Sequence, residues 1–399
     1  GVRTLTVDGT EITIDRSEEA NLESFLQEFT GAAAAYSLRD LAGAGNTTVV
    51  RVRRGSDNAE KDFKASEVSN GTLVDWVNAS LSNEVFTNNG YETFSGVSAT
   101  GFTASNTMSG GFANSVIPSG VAGNKLKVSF DIFVVSGSPK IALRATTSTG
   151  TASNNLEMTT SGSYTVTLTA TGSYSYVGFS EGDSPSEFTV SNFQIIGQDG
   201  FVETWYDQSG NGNNATQQVS GSQPKIVDAG NLVSGGLLFD GSDDFFDAPV
   251  PLDGATAHTS IAVACPTQAS RILSIKEDGR ADENWRLFVS GSNDASYGLD
   301  NGAAFASSRA ITLGNLVLLI GTYDANTLKM FVNGETPTTT ASVSGFTLNT
   351  TGDLEIGRNA NSGGNDYGGK IEEIIIYPSD QSANREAIET NINNQYDIY

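Results

Sequence analysis

Apolar positions in this chain alternate with polar ones over short runs, and the runs stop at Gly, Asn, Asp and Ser. A period of two predicts β-strands with one buried face, and that period dominates the sequence. Residues 1–15 predict a hairpin, VRTLTV and EITI joined through a turn at Asp8-Gly9. Ser17–Phe29 changes period: Leu22, Phe25, Leu26 and Phe29 share one face at helical spacing, with Ser17 placed as the cap. Strands are predicted again at Ala32–Leu38 and Thr48–Arg53.

Between residues 80 and 197 the texture shifts to Ser, Thr, Gly and Asn around regular apolar alternation. Lys125–Val135, Ser163–Thr171, Tyr174–Ser180 and Phe188–Gly197 read as strands of a separate sandwich. This block is the size of one β-sandwich domain and interrupts the sequence on either side of it. After Gly200 come FVETWY, GLLFDG, TSIAVAC, RILSIKE, WRLFVSG, LVLLIGTYD, TLKMFVNG, DLEIG and KIEEIIIY, joined by Asp-Gly, Asn-Gly and Gly-Ser turns. A helix over SANREAIETNINNQYDIY, capped by Ser382, is predicted to close the chain. The organisation expected is an N-terminal hairpin and short helix (1–29), a discontinuous main domain (30–79 with 198–399) and an inserted β-sandwich (80–197). The class is all-β.

Composition agrees with that class. Gly is abundant (44), and only 17% of the 399 residues are charged. Acids outnumber bases 46 to 22, a net charge of −24, so a polyanion would be repelled: nucleic acid and anionic membrane are excluded as partners. Such acidity suits solubility in a salty or extracellular setting, with divalent-cation binding as the sharper reading. No apolar run is long enough for a membrane-spanning helix, so membrane insertion is not expected. Cys265, the single cysteine, lies in apolar IAVACP and reads as a small buried hydrophobe. The start at Gly1, without a signal-peptide pattern, reads as a processed product or a piece of a longer protein.

Candidate chemistry concentrates in two glycine-broken stretches. In WYDQSGNGNNATQ (Trp205–Gln217), Gly210 and Gly212 can take positive φ, and Asp207 is suited to accept N–H bonds across the turn. That reading splits Trp205 and Tyr206 between core and surface. The functional alternatives make Trp205 and Tyr206 ligand contacts and give Asp207, Asn211 and Asn213 to a calcium site. The loop holding Asn359, Asn361, Asn365, Asp366 and Tyr367 offers amides, a carboxylate and an aromatic ring, as sugar sites do. A plain solvated loop is its other reading. DGSDDFFD (Asp240–Asp247) carries four acids and reads as a structural turn. Lone His258 has no partner set for zinc or for Ser/His/Asp catalysis. In RVRRGSD (Arg51–Asp57), strand alternation divides the arginines between faces and pairs them with nearby acids.

WYDQSGNGNNATQ, GLLFDGSDDFF, TYDANTLKMFVNGE and IGRNANSGGNDYGGKIEEIIIYPSD together resemble the concanavalin A/laminin-G-like jelly-roll superfamily. AAYSLRDL (Ala34–Leu41) and VRVRRGSDNAEKDF (Val50–Phe63) extend the likeness to the arabinofuranosidase B catalytic-domain family, over residues 30–78 and 200–399. Similar non-enzymatic domains occur in phage and viral structural proteins. The resemblance implies a jelly roll with an inserted second β-sandwich. It also exposes departures from the enzyme pattern: Asn359 stands where the family has its acid/base Asp, and the paired cysteines are absent. Glu277 is the positional candidate for the nucleophile, with Asp366 as a substitute proton donor; a retaining hydrolase needs two such carboxyls about 5–5.5 Å apart.

Three functions therefore stand as expectations. The first is a non-catalytic virion-surface or extracellular protein that holds a glycan or polysaccharide, as a homo-oligomer or part of a larger assembly. It requires no cofactor, calcium being the one a site could take. The second is a glycoside hydrolase of arabinofuranosidase type using Glu277 and Asp366. The third is a structural subunit with no ligand, since long Thr-rich sandwich faces suit lateral packing as well as sugar binding.

Overall fold

A computed structural model describes residues 2–7, 10–15, 24–79, 81–106, 111–146, 151–180, 185–249, 252, 254–276, 283–300, 304–343, 346–348, 353–359 and 365–399. Strands dominate it, all paired antiparallel, as the period of two requires. The N-terminal hairpin forms between Val2–Val7 and Thr10–Asp15, with Val7 opposite Thr10; Asp8 and Gly9 lie outside the described residues.

The main domain is one continuous antiparallel sheet folded into two facing layers, joined through Lys225–Asp228, which pairs with both Gly200–Trp205 and Leu237–Asp240. In the first, Gly368–Tyr377 pairs with His258–Pro266 on one side and with Ala34–Ser37 and Leu237–Asp240 on the other; Val317–Tyr323 and Thr327–Val332 follow outward from His258–Pro266. The second runs from Glu60–Lys64 through Thr48–Arg54, Gly200–Trp205, Ala215–Thr216, Phe246–Ala248, Leu354–Ile356 and Ser270–Lys276 to Glu283–Val289, Asp294–Asp300 and Ala304–Ala310. One large apolar core fills the space between them.

Burial on both faces explains the runs that do not alternate. Ala262, Ala264, Ile374 and Ile376 point into the main core, while Ile261, Val263, Ile375 and Tyr377 point to the opposite face. That second face is covered by helix Arg385–Tyr396, through Ile388 and Ile392, and by Phe25 and Phe29 around the short helix Phe25–Glu28. Strands covered on both sides read as continuous hydrophobic stretches. A locked ion pair fixes this layer: Glu373, fully buried, accepts from Arg39 Nε (2.7 Å) and Nη2 (2.9 Å), Ser37 Oγ (3.0 Å) and Tyr396 Oη (2.9 Å).

Several expectations shift. The boundary at residue 29 falls inside a packed layer, because Phe25 and Phe29 bury themselves against the jelly roll. Of the helix expected over Ser17–Phe29, the described part is Phe25–Glu28; Ser17 and Leu22 lie outside the described residues. The closing helix begins after Asn384, not Ser382, whose hydroxyl donates to Asp380 instead (2.6 Å). Helices Ala65–Ser69 and Thr72–Asn78 were not anticipated; five and seven residues are too few to show a helical period against strand-rich surroundings. Cys265 is half-buried in a strand whose other residues are buried, with its thiol against the Gly314 carbonyl (3.1 Å). No described helix is long and apolar enough to cross a membrane.

The inserted block forms its own sandwich. One sheet has the order Gly162–Thr169, Lys125–Ser136, Glu187–Gln198, Phe102–Ser105, Thr93–Ser95; the other is Leu156–Glu157, Lys140–Arg144, Tyr174–Ser180, Phe112–Gly120, Thr87–Asn89. A separate core holds it together, with Phe86, Phe102, Phe130, Phe179, Phe188 and Phe193 in mutual ring contact. The two sandwiches are stapled at Asp199. Its carboxylate accepts from Lys125 N (2.8 Å) in the insert and from Ala229 N (2.7 Å) and Lys225 Nζ (2.8 Å) in the jelly roll.

Candidate functional site

The Trp205–Gln217 stretch is a structural clasp. Gly210 (φ 88°) and Gly212 (φ 77°) turn the chain back, and the Asp207 carboxylate fills the turn. It accepts from Ala35 N (2.9 Å), Ser209 N (2.9 Å), Ser209 Oγ (2.8 Å) and Asn213 N (3.0 Å). Asn211 and Asn213 donate their amides to the Ala32 and Ala33 carbonyls, and Tyr36 Oη donates to the Asn213 carbonyl. Asp207, Asn211 and Asn213 are therefore a turn lock, not a cation shell: both carboxylate oxygens already face N–H and O–H donors. Trp205 is fully buried between Tyr36 and Phe246 and offers no face to a ligand, because its strand is covered on both sides. Tyr206 remains half-buried, donating to Asp62 (2.9 Å); burial and then Asp62 push its phenol up to about 12.

The second stretch also folds inward in part. Tyr367 is fully buried, edge-on to Phe239, with its hydroxyl on the Lys370 carbonyl (3.0 Å). Asn359 is 8% exposed. Neither the Tyr367 ring nor the Asn359 amide presents itself as a sugar platform, because both side chains are buried. Asp366 is half-buried and Asn365 exposed; Asn361 and Glu277 lie outside the described residues. Gln268 Nε2 ties the two loops together through the Asp366 (2.8 Å) and Gly241 (3.2 Å) carbonyls. Arg358, paired with Glu355 (2.7 Å), lies 3.4 Å over the Phe245 ring.

Acids gather at this end. Asp240, Asp243 and Asp244 bring carboxylate oxygens within 4.8 Å of one another. Asp240 Oδ1 accepts from Ser242 N (2.8 Å) and Asp243 N (3.2 Å), and Asp244 Oδ2 from Asp240 N (2.8 Å), so the turn reading of this loop describes its hydrogen bonds. Burial, then the Asp240 charge, push Asp244 up to about 7. Asp366 is also raised, first by its burial, with Asp243 and Asp240 adding repulsion.

Beside this turn, where insert and jelly roll meet, lies a cleft of about 130 Å³. Asn124 comes from the insert; Gln223, Lys225, Asp240 and Asp244 come from the jelly roll; Gly221 leaves one wall open. Phe201 also lines it, with Arg53 (4.6 Å) and Lys225 (5.7 Å) against its ring. Arg53 departs from the expected ion pairing. It is buried, donating to Gln223 (2.6 Å) and the Ser220 carbonyl (2.9 Å), whereas Arg51 pairs with Asp62 and Arg54 with Asp57, both at 2.7 Å. The cleft thus presents amide, carboxylate and ammonium groups held by neighbours. Sequence reading missed it because Asn124, Gln223 and Asp244 are far apart along the chain; only the acidic turn was visible.

His258 plays no part there. It is fully buried, its Nδ1 against Tyr297 Oη, and burial lowers its pKa to about 3. Gly321 permits this arrangement: a Cβ there would sit 2.3 Å from the Tyr297 ring.

Residues 239–385 match the family model of the concanavalin A-like lectin/glucanases superfamily. The jelly roll is concanavalin A-like. No curated protein matches the chain. Solved structures with local likeness to it include the CBM40 module of a Ruminococcus gnavus IT-sialidase bound to α2,3-sialyllactose, at 18% identity, covering 34% of this chain and 81% of that one, with a TM-score of 0.29. The receptor-binding domain of botulinum neurotoxin D shares 13% identity over 48% of this chain and 50% of that one, at a TM-score of 0.37. Trypanosoma rangeli sialidase shares 10% over 78% and 63%, at 0.36. These scores bear on neither ligand nor activity.

Proposed function

We propose that this chain is a non-catalytic glycan-binding protein of a virion surface or other extracellular setting, holding a saccharide in the cleft between its two sandwiches. The observation that carries the reading is the lining of that cleft, where Asn124, Gln223, Lys225, Asp240 and Asp244 bring amide, ammonium and carboxylate groups together from both sandwiches. The superfamily that the jelly roll matches includes lectins, which is consistent with it. Two carboxyls in the lining and a net charge of −24 favour neutral saccharides over sialylated or uronate-rich ones. Gly221→Trp tests the site, because a Cβ at Gly221 meets nothing within 4 Å and the indole would fill the cleft without disturbing the core. On a glycan array and by calorimetry, the wild type is expected to bind a neutral glycan and the variant to lose that binding with an unchanged melting temperature. Failure of the wild type to bind any glycan would reject the proposal. Repeating the titration with calcium and with EDTA tests for a cation at the acidic turn.

A hydrolase is the second reading: Asp366 is half-buried, and its burial, with the charges of Asp243 and Asp240, raises its pKa in the direction that suits a general acid. Release of sugar from a chromogenic arabinofuranoside, abolished by Asp366→Asn, would replace the binding role with an arabinofuranosidase-type one.

A further inference from the structure

We propose that strand Gly162–Thr169 is a self-association edge, through which two copies of this chain pair strand against identical strand. It is the terminal strand of its sheet; among the described residues its ladder partner is Lys125–Ser136 alone. The register runs without a shift from Lys125↔Thr169 to Ile132↔Gly162, so no bulge turns the edge away. Its sequence, GSYTVTLT, has no Asp, Glu, Lys, Arg, His or Pro. Long, flat, uncharged edges are the ones that proteins otherwise shorten, charge or cover. Elsewhere this molecule does so. The other terminal strands of the insert are Thr93–Ser95, Leu156–Glu157 and Thr87–Asn89, each two or three residues, and the jelly-roll edge Glu60–Lys64 reads EKDFK.

The occupant that fits is a second copy. Directly opposed residues of an antiparallel pair share a face, so a two-fold axis through Val166 sets Val166 against its own equivalent, Tyr164 against Leu168, and Thr165 against Thr167 of the other copy. Tyr164 and Val166 point toward the sandwich core yet are only half-buried, because nothing described lies beyond them; the second strand would cover both. On the outer face, exposed Ser163, Thr165, Thr167 and Thr169 would make hydroxyl-bearing cross-strand pairs. Each copy carries a charge of −24, and this uncharged strand lets two of them approach without opposing acids directly. One strand pair buries less than the roughly 1,200–2,000 Å² of a stable interface, so a reversible, concentration-dependent dimer is expected.

Sedimentation velocity of the full chain over a concentration series tests this. Wild type is expected to move from monomer to dimer. Thr165→Lys with Thr167→Lys sets like charges opposite each other twice and should weaken the dimer by about tenfold or more. Thr165→Glu with Thr167→Lys opposes unlike charges in the same register and should restore it. Thr93→Lys with Ser95→Lys, on the far edge, should leave it intact. A wild type monomeric at every concentration overturns the proposal, as does a double-lysine variant that is folded by circular dichroism and associates like wild type.

Discussion

At the scale of single residues, the most informative side chains are acids and one histidine that the fold takes out of water. Asp207 faces four donors, so Asp207→Ala leaves the amides of Ala35, Ser209 and Asn213 without their acceptor. Denaturant unfolding is expected to show a loss of about 3 kcal/mol. Asp244 and His258 pull stability in opposite directions with pH. Asp244 titrates near 7 in the folded chain against an ordinary 3.8, so between those values the folded state holds the extra proton and stability falls as pH rises. His258 titrates near 3 against an ordinary 6.5, so there the unfolded state holds the extra proton and stability falls as pH drops. Asp244→Asn should therefore reduce the loss expected on raising pH from 4 to 7, read in melting temperatures, while leaving the acid-side loss in place.

Among elements, the helix Arg385–Tyr396 shows why an amphipathic segment needs its docking surface to be understood. Its sequence gives a weak apolar stripe, and it is the sheet's outward Ile261, Val263 and Ile375 that make Ile388 and Ile392 core residues. Ile392→Ala is expected to cost about 2–5 kcal/mol by calorimetry or denaturant titration. Strands were legible for the same physical reason that the short helices Ala65–Ser69 and Thr72–Asn78 were not. Lys125–Ser136 and Glu187–Gln198 alternate over enough residues to declare their buried face, with burial of every second position as far as Ile132 in the first. Ala304–Ala310, rich in Ala and Ser, carried too little contrast to be seen, whereas Asp294–Asp300 does alternate, through Ala295, Tyr297 and Leu299, over a single short run.

For the molecule as a whole, the insert behaves as a module set into a closed frame. Its entry and exit meet: Gln198 N donates to Asn78 Oδ1 (3.3 Å), and Gln198 Nε2 to the Val77 carbonyl (2.5 Å). Replacing residues 80–197 by a short glycine linker is therefore expected to leave a jelly roll that folds alone, with its core residues from Val49 to Ile376 unchanged. A cooperative melt and a β-type circular-dichroism spectrum would check it; a molten chain would show that the Asp199 staple, which also holds Lys125, is indispensable.

Local chemistry settled the all-β class, the longer alternating strands and the glycine turn at Asp207, because alternation, turn residues and short-range acceptors act within a few residues of one another. It also marked the acidic turn at Asp240–Asp244. Burial and convergence were decided by the tertiary structure alone. Trp205, Tyr367 and Asn359 look like ligand groups in one dimension and become core or packed positions once a second sheet or loop lies over them. Asn124 and Gln223 look like nothing, and line one cleft because two sandwiches meet there. Solvent exposure and proximity across a hundred residues depend on which faces pack together, and no local pattern encodes that.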